Sequence, residues 1–111
     1  MIIYKVLKET EFLELEKNGK SHGSALDKKD KFVHMSTKQQ LSETLRKHFY
    51  QKNNLILMAI DSKTITSNLR WEESRSGQLF PHLYAELKFT DALWFSPIEF
   101  IENHHIMPSA I

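Results

Sequence analysis

The residues with the most useful chemistry lie close together in the chain, between Arg70 and Glu86. Carboxylates, a guanidinium, an imidazole and a phenol occur there, at Glu72, Glu73, Arg75, His82 and Tyr84. Imidazoles and carboxylates transfer protons near neutral pH, and a guanidinium binds phosphate or carboxylate through parallel hydrogen bonds. Trp71 and Phe80 add large apolar surfaces beside these polar groups. The stretch therefore predicts a polar pocket with aromatic walls.

A second stretch of this kind lies upstream, from Asp30 to Thr37. His34 ends a predicted strand there and comes just before a predicted helix start. Free backbone N–H groups at a helix start bind anions such as phosphate, and the hydroxyls of Ser36 and Thr37 add donors. We expect a neutral His34 to hydrogen-bond a ligand, or alternatively to bond a neighbouring backbone group. We expect the fold to bring both stretches together around one pocket.

Each candidate also has an ordinary structural explanation. His82 shares a predicted strand face with Tyr84, and a histidine satisfied within the core is the commoner outcome. On a strand only one of Glu72 and Glu73 can face the pocket, where it would stabilise a developing cation or act as a base. The alternative for this pair is a solvated edge. The alternative for Arg75 is a surface ion pair, which would contribute little.

Composition limits the class of protein. The chain has 111 residues, of which 41% are hydrophobic and 26% charged, so we expect one folded domain over residues 1–111. There is no cysteine, which excludes disulfides, thiolate nucleophiles and cysteine-bound zinc. His104 and His105 are adjacent and would point apart on a strand, and no His-x-x-x-His pattern occurs. No metal site is expected.

Charge and hydropathy indicate the environment. The net charge is +1, with lysine and glutamate interspersed, so nucleic-acid binding is not expected except where a nucleic acid is a modified substrate. The longest apolar run, from Leu55 to Ile60, is too short to span a membrane. The N-terminal residues lack the layout of a signal peptide. These features predict a soluble, cytoplasmic protein.

Periodicity places the candidates on short elements. Strands are predicted over 2–7, 32–35, 55–60, 69–72, 82–87 and 92–95, and helices over 10–18 and 37–50. Thr10 would cap the first helix, and Ser36 with Gln39 would form a capping box at the second. Residues 19–31 are predicted as a loop, in which the backbone near Ser24 could approach a ligand or simply connect two elements. Because strands outnumber the two early helices, the sequence predicts an α+β fold.

Several motifs resemble one small bacterial family, catalogued as domain of unknown function 952 (DUF952). They are Ile-Tyr-Lys at 3–5, Gly23-Ser24, Asp30-x-Phe-Val-His-Met-Ser-Thr to 37 with Gln40, Trp71-Glu72-x-Ser-Arg-x-Gly to 77, and Phe80-Pro-His-Leu-Tyr to 84. The resemblance extends over nearly the whole chain. The family usually has glycine at the position of Lys31, and often a second glycine at the position of Ser76.

The resemblance implies a fold and a ligand class. The family is grouped with the ADP-ribosyltransferase-like proteins, which include RNA 2′-phosphotransferases. It implies a split, mostly antiparallel β core with the two early helices packed on it, and an NAD-type ligand in the cleft. By this resemblance His34 would hold the nicotinamide ribose, Tyr84 would pack on the nicotinamide, and Glu72 would stabilise the oxocarbenium-like ribosyl centre.

These residues and the resemblance together define one candidate site. The predicted catalytic residues are His34, Glu72 and His82, and the predicted ligand-binding residues are His34, Ser36, Thr37, Arg75, Tyr84 and Ser24. The leading hypothesis is an enzyme of the ADP-ribosyl- or phosphotransferase type that uses NAD or a related nucleotide. The second is a non-catalytic module that senses such a small molecule. The third is a structural or partner-binding protein with an exposed aromatic patch formed by Trp71, Phe80, Trp94 and Phe95.

Overall fold

The apolar run at 55–60 forms the central strand of the main sheet in the computed structural model. The structure describes residues 1–74 and 77–111. Its strands are β1 (Ile2–Lys8), β2 (Lys20–Ser21), β3 (Val33–His34), β4 (Leu55–Asp61), β5 (Leu69–Glu73), β6 (Leu79–Leu83), β7 (Leu87–Lys88), β8 (Ala92–Ile101) and β9 (His104–Ile106). Its α-helices are α1 (Glu9–Asn18), α2 (Ala25–Asp30) and α3 (Lys38–His48), and 3₁₀ turns cover Ser62–Asn68 and Phe89–Asp91.

The strands pair antiparallel in three sheets, with the orders β1-β4-β8-β9, β3-β6-β5 and β2-β7. One face of the main sheet packs against α3, where Leu41 and Leu45 meet Tyr4 and Val6 of β1. The other face carries a second cluster that includes Leu15 of α1. The fold is therefore α+β with a mostly antiparallel core, as the sequence predicts.

Strand β3 links the smaller site-bearing sheet to the main sheet. An isolated bridge joins Tyr4 of β1 to Ser36, which directly follows this region, through N–H to carbonyl bonds in both directions. The N–H of Met35 donates to the carbonyl of Pro81 on β6. The backbone around His34 is therefore held between β1 and β6.

The starts of the two predicted helices are shifted. Helix α1 is capped by Lys8 rather than by Thr10, and the backbone N–H of Lys8 donates to Oε1 of Glu11. Helix α3 is capped by Thr37 rather than by Ser36, with Oε1 of Gln40 accepting the Thr37 N–H. Ser36 is instead used in the bridge to β1, which competes with its role as a cap.

The prediction of a loop over 19–31 is wrong. This segment contains β2 and the short helix α2, which has Ser24 as its N-cap and Asp27 three residues later. The helix escapes a hydrophobic-periodicity search because its buried residue is an aspartate. The molecule consequently has three α-helices among its described residues, whereas the sequence predicts two.

The predicted strands at the C-terminal end also need correction. Strand β6 ends at Leu83 and the chain bends before β7, so His82 and Tyr84 do not share a strand face. Strand β8 runs to Ile101 rather than Phe95, because Glu102 and Asn103 take positive φ values of 50° and 70° and turn the chain into β9. Within the described ranges, no helix is long and apolar enough to cross a membrane.

Candidate functional site

The ring of Phe32 lies at the centre of the candidate site. Its centroid is 4.4 Å from that of His34, 4.1 Å from that of His82 and 5.2 Å from that of Tyr84. The two imidazole centroids are 5.5 Å apart. The fold therefore brings together both of the stretches that the sequence singles out, around one aromatic ring.

Strand pairing produces this convergence. In the register of β3 with β6, His34 lies directly opposite His82. In the register of β6 with β5, His82 lies opposite Arg70, so Glu72 is one side-chain repeat further along the same face. Two strand pairings thus join residues that are far apart in the chain.

Both ring nitrogens of His34 lie against carboxylates from α2. Nδ1 is 2.6 Å from Oδ1 of Asp27, and Nε2 is 3.0 Å from Oδ2 of Asp30. The Nδ1 contact has hydrogen-bond geometry, whereas the Nε2 contact is at ion-pair distance and becomes an ion pair only when the ring is protonated. The ring orientation of His34 is fixed by the helix that the sequence does not predict.

Asp27 joins three elements and is only 2% exposed. Its Oδ1 accepts the backbone N–H of His34, and its Oδ2 accepts the backbone N–H of Ser24. The ammonium of Lys5, on β1, lies 2.7 Å from Oδ2 and also donates to the carbonyl of His34. Burial alone would raise the pKa of Asp27, but the hydrogen bond from His34 and the charge of Lys5 outweigh it and hold that pKa well below its usual value.

This depressed pKa predicts an acid-dependent loss of stability. The carboxylate stabilises the fold fully above its unfolded pKa, near 3.8, and loses that effect as the pH falls below it toward the folded pKa. Below pH 4, stability should fall by up to about 1.4 kcal/mol per pH unit from this one group. Urea unfolding between pH 6 and about pH 2.5 measures the slope. An Asp27→Asn variant with the same slope as the natural protein would contradict the assignment.

Glu72 holds the second histidine. Its Oε1 lies 2.8 Å from Nδ1 of His82 and accepts a 2.6 Å hydrogen bond from the Tyr84 hydroxyl. The hydrogen bond from Tyr84, followed by that from His82, lowers the pKa of Glu72, while the same bond raises the pKa of Tyr84. Glu73 makes no such contact among the described residues, so Glu72 is the member of the pair directed to the site.

His82 is 5% exposed, and its ring packs against Phe32. With Nδ1 bonded to Glu72, the proton of a neutral ring lies on Nδ1 and Nε2 is an acceptor. Within residues 1–74 and 77–111, no side chain or backbone group bonds to that Nε2. A buried nitrogen in this state is suited to hydrogen-bond a ligand.

Two clefts lie near this cluster of rings, and Phe32 itself lines only the larger one. The smaller cleft, of about 350 Å³, is lined by residues that include Lys5, Ser24, His34, Ser36, Phe80 and His82. The larger cleft, of about 670 Å³, is lined by residues that include His22, Lys28, Lys31, Phe32, Tyr84 and Glu86. The smaller cleft contains both imidazoles and is therefore the stronger candidate for a site of chemistry, although the other is larger.

The remaining predicted ligand-binding residues differ in position. Ser24 and Ser36 line the smaller cleft, whereas Thr37 lines neither cleft. The N–H groups of Ser36 and Thr37 donate to the Tyr4 carbonyl and to Gln40, so the start of α3 offers no anion site at these two groups. Tyr84 lies at the larger cleft, with the guanidinium of Arg70 4.7 Å from its ring centroid. The predicted role of Arg75 falls outside the described residues.

Sequence reasoning missed three charged residues of the site, which are Lys5, Asp27 and Asp30. The spacing of Ser24 and Asp27 is a capping-box signal and could have revealed α2. Lys5 stands among the apolar residues of β1 and is only 6% exposed, which already suggests a buried partner. No local signal identifies Asp27 as that partner.

Two further expectations concern metals and the aromatic patch. No cluster of histidine, aspartate and glutamate within the described residues could hold a metal ion.

Phe80 is 6% exposed and Trp94 and Phe95 pack against the core clusters, which leaves only Trp71 of the four aromatics exposed. This burial counts against an exposed aromatic patch for a partner protein.

Comparison with known proteins finds one family and one set of solved structures. The family described as "Protein of unknown function (DUF952)" matches residues 6–95. The crystal structure of protein CC0527 from Caulobacter crescentus is similar with a TM-score of 0.90 and 34% identity, over 94% of this chain and 91% of that one. The solution NMR structure of CC0527 gives a TM-score of 0.83 and 34% identity, over 94% and 90% of the two chains. No curated protein matches.

Proposed function

We propose a function for this chain from the premise that it belongs to the DUF952 family, whose description names no activity. The function that the site supports best is an enzyme of the ADP-ribosyl- or phosphotransferase type that binds an NAD-type nucleotide in the smaller cleft. The proposal takes residues 1–111 as a single domain and the antiparallel core as ADP-ribosyltransferase-like.

One observation carries the proposal. Two imidazoles whose centroids are 5.5 Å apart line the same cleft, and the Nδ1 atom of each is held by a carboxylate. Such carboxylates fix the tautomer and orientation of a histidine that binds or transfers a proton. A histidine with a purely structural role in a core needs only one hydrogen-bond partner. Two carboxylate–histidine pairs at the same cleft therefore favour a ligand site.

Each site residue would have a distinct role in the transfer of an ADP-ribosyl group. His34 would hydrogen-bond the nicotinamide ribose once Asp30 moves away from its Nε2. Tyr84 lies at the larger cleft, so its role here is to hold Glu72 through its hydroxyl and not to pack on the nicotinamide. Transfer of an ADP-ribosyl group breaks the bond between ribose C1′ and the nicotinamide nitrogen, and nicotinamide leaves with the electron pair. Because its hydrogen bonds lower the pKa of Glu72, this carboxylate stays ionised. It lines neither cleft, so it would stabilise the cationic ribosyl centre through His82, whose Nδ1 it holds. His82 would accept the proton of the attacking hydroxyl.

A specific observation favours a second candidate function, a non-catalytic module that senses the same kind of ligand. Both ring nitrogens of His34 are engaged by Asp27 and Asp30, so this ring has no nitrogen left to act as a base without a movement of Asp30. Incubation with NAD separates the two functions. Release of nicotinamide supports the enzyme, and binding without release supports the sensor.

Binding is tested by calorimetry with NAD, ADP-ribose and a 2′-phosphorylated nucleotide. We expect at least one of them to bind, and a His34→Ala/His82→Ala double variant to weaken that binding by about tenfold or more, because each lost hydrogen bond to a charged ligand contributes about 1.5–3 kcal/mol. Circular dichroism of the variant establishes that it is folded.

A matched control is provided by His104→Ala/His105→Ala, which removes two imidazoles from β9, outside both clefts. This variant should bind like the natural protein. The assignment of the smaller cleft to an NAD-type nucleotide is wrong if none of the three compounds binds. It is also wrong if His34→Ala/His82→Ala binds the nucleotide as tightly as His104→Ala/His105→Ala does.

A further inference from the structure

The larger cleft has a cationic rim. It lies between the end of α2 with β3 on one side and the segments next to β2 and β7 on the other. Lys28 and Lys31 contribute ammonium groups, and both side chains are exposed at the edge. In the part of the chain that the structure describes, neither ammonium forms an ion pair with a carboxylate.

The carboxylates of this cleft are already neutralised by other groups. Asp27 is buried and bonded to Lys5 and His34. Glu86 lies 3.9 Å from the Lys20 ammonium and 3.6 Å from Nε2 of His22. The local charge is therefore positive although the whole chain carries only +1.

Strand pairing places two further lysines near this cleft, although neither lines it. In the register of β2 with β7, Lys20 lies directly opposite Lys88. Like charges at such positions repel and destabilise the ladder. Because Glu86 lies 3.9 Å from the Lys20 ammonium, part of that repulsion is already offset without a ligand.

The inner wall of the cleft is aromatic. Phe32 and Tyr84 both line it, with ring centroids 5.2 Å apart and planes inclined by 31°. Their exposed edges offer an apolar surface next to the two lysines. A ligand that combines an anionic group with a flat organic body satisfies both features.

We propose that the larger cleft is a second binding site, which takes a phosphate monoester on a nucleoside-sized body. Lys28 and Lys31 bind the phosphate, and the walls formed by Phe32 and Tyr84 contact the organic part. Its role as the site of the acceptor that receives the transferred group rests on the proposed function, whereas the binding itself does not.

The position of Phe32 explains how the two clefts would work together. The same ring lines the larger cleft and packs against both imidazoles of the smaller one. A ligand in the larger cleft is therefore separated from the histidines by the thickness of one side chain.

The test is an NMR titration of the full chain with adenosine monophosphate, inorganic phosphate and adenosine. We expect the monophosphate to shift the signals of Phe32, Tyr84 and the backbone at 28–31, and to bind more tightly than either fragment. A Lys28→Gln/Lys31→Gln variant should weaken this binding about tenfold, because charge-assisted contacts to phosphate are lost. Lys47→Gln/Lys63→Gln has the same change in charge away from the cleft and should bind normally.

The outcomes separate this site from the NAD-type site. The natural protein should bind the monophosphate at Lys28 and Lys31 even if NAD binding fails in every form of the protein. Three results would overturn the proposal: no shifts at the larger cleft, equal weakening in both lysine variants, or equal binding by adenosine alone. Binding of inorganic phosphate as tight as that of the monophosphate would also overturn the part assigned to the aromatic wall.

Discussion

Replacing Asp27 with asparagine is expected to lower the free energy of unfolding by about 3–5 kcal/mol, the cost of removing one partner of a buried ion pair. The ammonium of Lys5 would remain buried without a counter-charge, since its side chain is only 7% exposed. The hydrogen bonds from His34 and Ser24 would weaken in the same step. Urea unfolding at neutral pH measures the change.

Asp30→Asn is the matched control, because it changes the same residue type on the same helix and next to the same histidine. Asp30 is partly exposed, and within the described residues its ion-pair contact is with Nε2 of His34, so its loss should cost no more than about 1 kcal/mol. Equal effects of the two substitutions would show that burial does not distinguish the two carboxylates.

A double-mutant cycle isolates the ion pair itself. Lys5→Met alone should also be destabilising, because it leaves the Asp27 carboxylate buried with fewer partners. The combined Lys5→Met/Asp27→Asn variant should lose less stability than the sum of the two single variants, by about 1–3 kcal/mol of coupling. Strict additivity would mean that the two groups do not stabilise one another.

Replacing Gly23 with alanine is expected to destabilise the fold by about 3 kcal/mol or more. The residue has φ +88°, where a side chain is strained, and an added Cβ would overlap the Asp27 carboxylate. The overlap would push Asp27 away from Lys5 and His34, so the site would be disrupted together with the fold. Thermal unfolding and the NMR signals of the His34 ring report the two effects.

Gly19→Ala separates strain from overlap. Gly19 ends α1 with φ +78°, and an added Cβ there would meet no atom within 4 Å. Only the cost of the left-handed conformation applies, about 1–2 kcal/mol, and the histidine signals should not move. If Gly23→Ala proved no worse than Gly19→Ala, the close packing of Gly23 on Asp27 would be unimportant.

Local patterns predict much of the framework. The apolar run at 55–60 and the β-branched start of the chain identify β4 and β1, and Leu41 with Leu45 identifies the buried side of α3. These elements are predictable because each is specified by neighbours in the sequence, through burial on one or both faces. The aromatic and histidine motifs also indicate the stretches that form the site.

The sequence does not predict which polar groups become partners. The motifs contain His34 and His82, yet neither reveals that Asp27 and Glu72 hold their rings. Helix α2 has little hydrophobic pattern, since its inward residue is a carboxylate whose counter-charge, Lys5, comes from another element. The bend after Leu83 is also missed, because the alternation of polar and apolar residues continues without interruption to Leu87.

The amino-acid sequence by itself determined the family, the α+β class and the residues able to do chemistry. Only the tertiary structure decided their arrangement, because Lys5 lies on a strand that is 29 residues away from His34 and reaches Asp27 and His34 only through long-range pairing. A hydrophobic residue needs only burial, which its periodicity encodes, whereas a buried charge needs a specific partner at a specific distance. That requirement is met by the fold as a whole, not by any one segment.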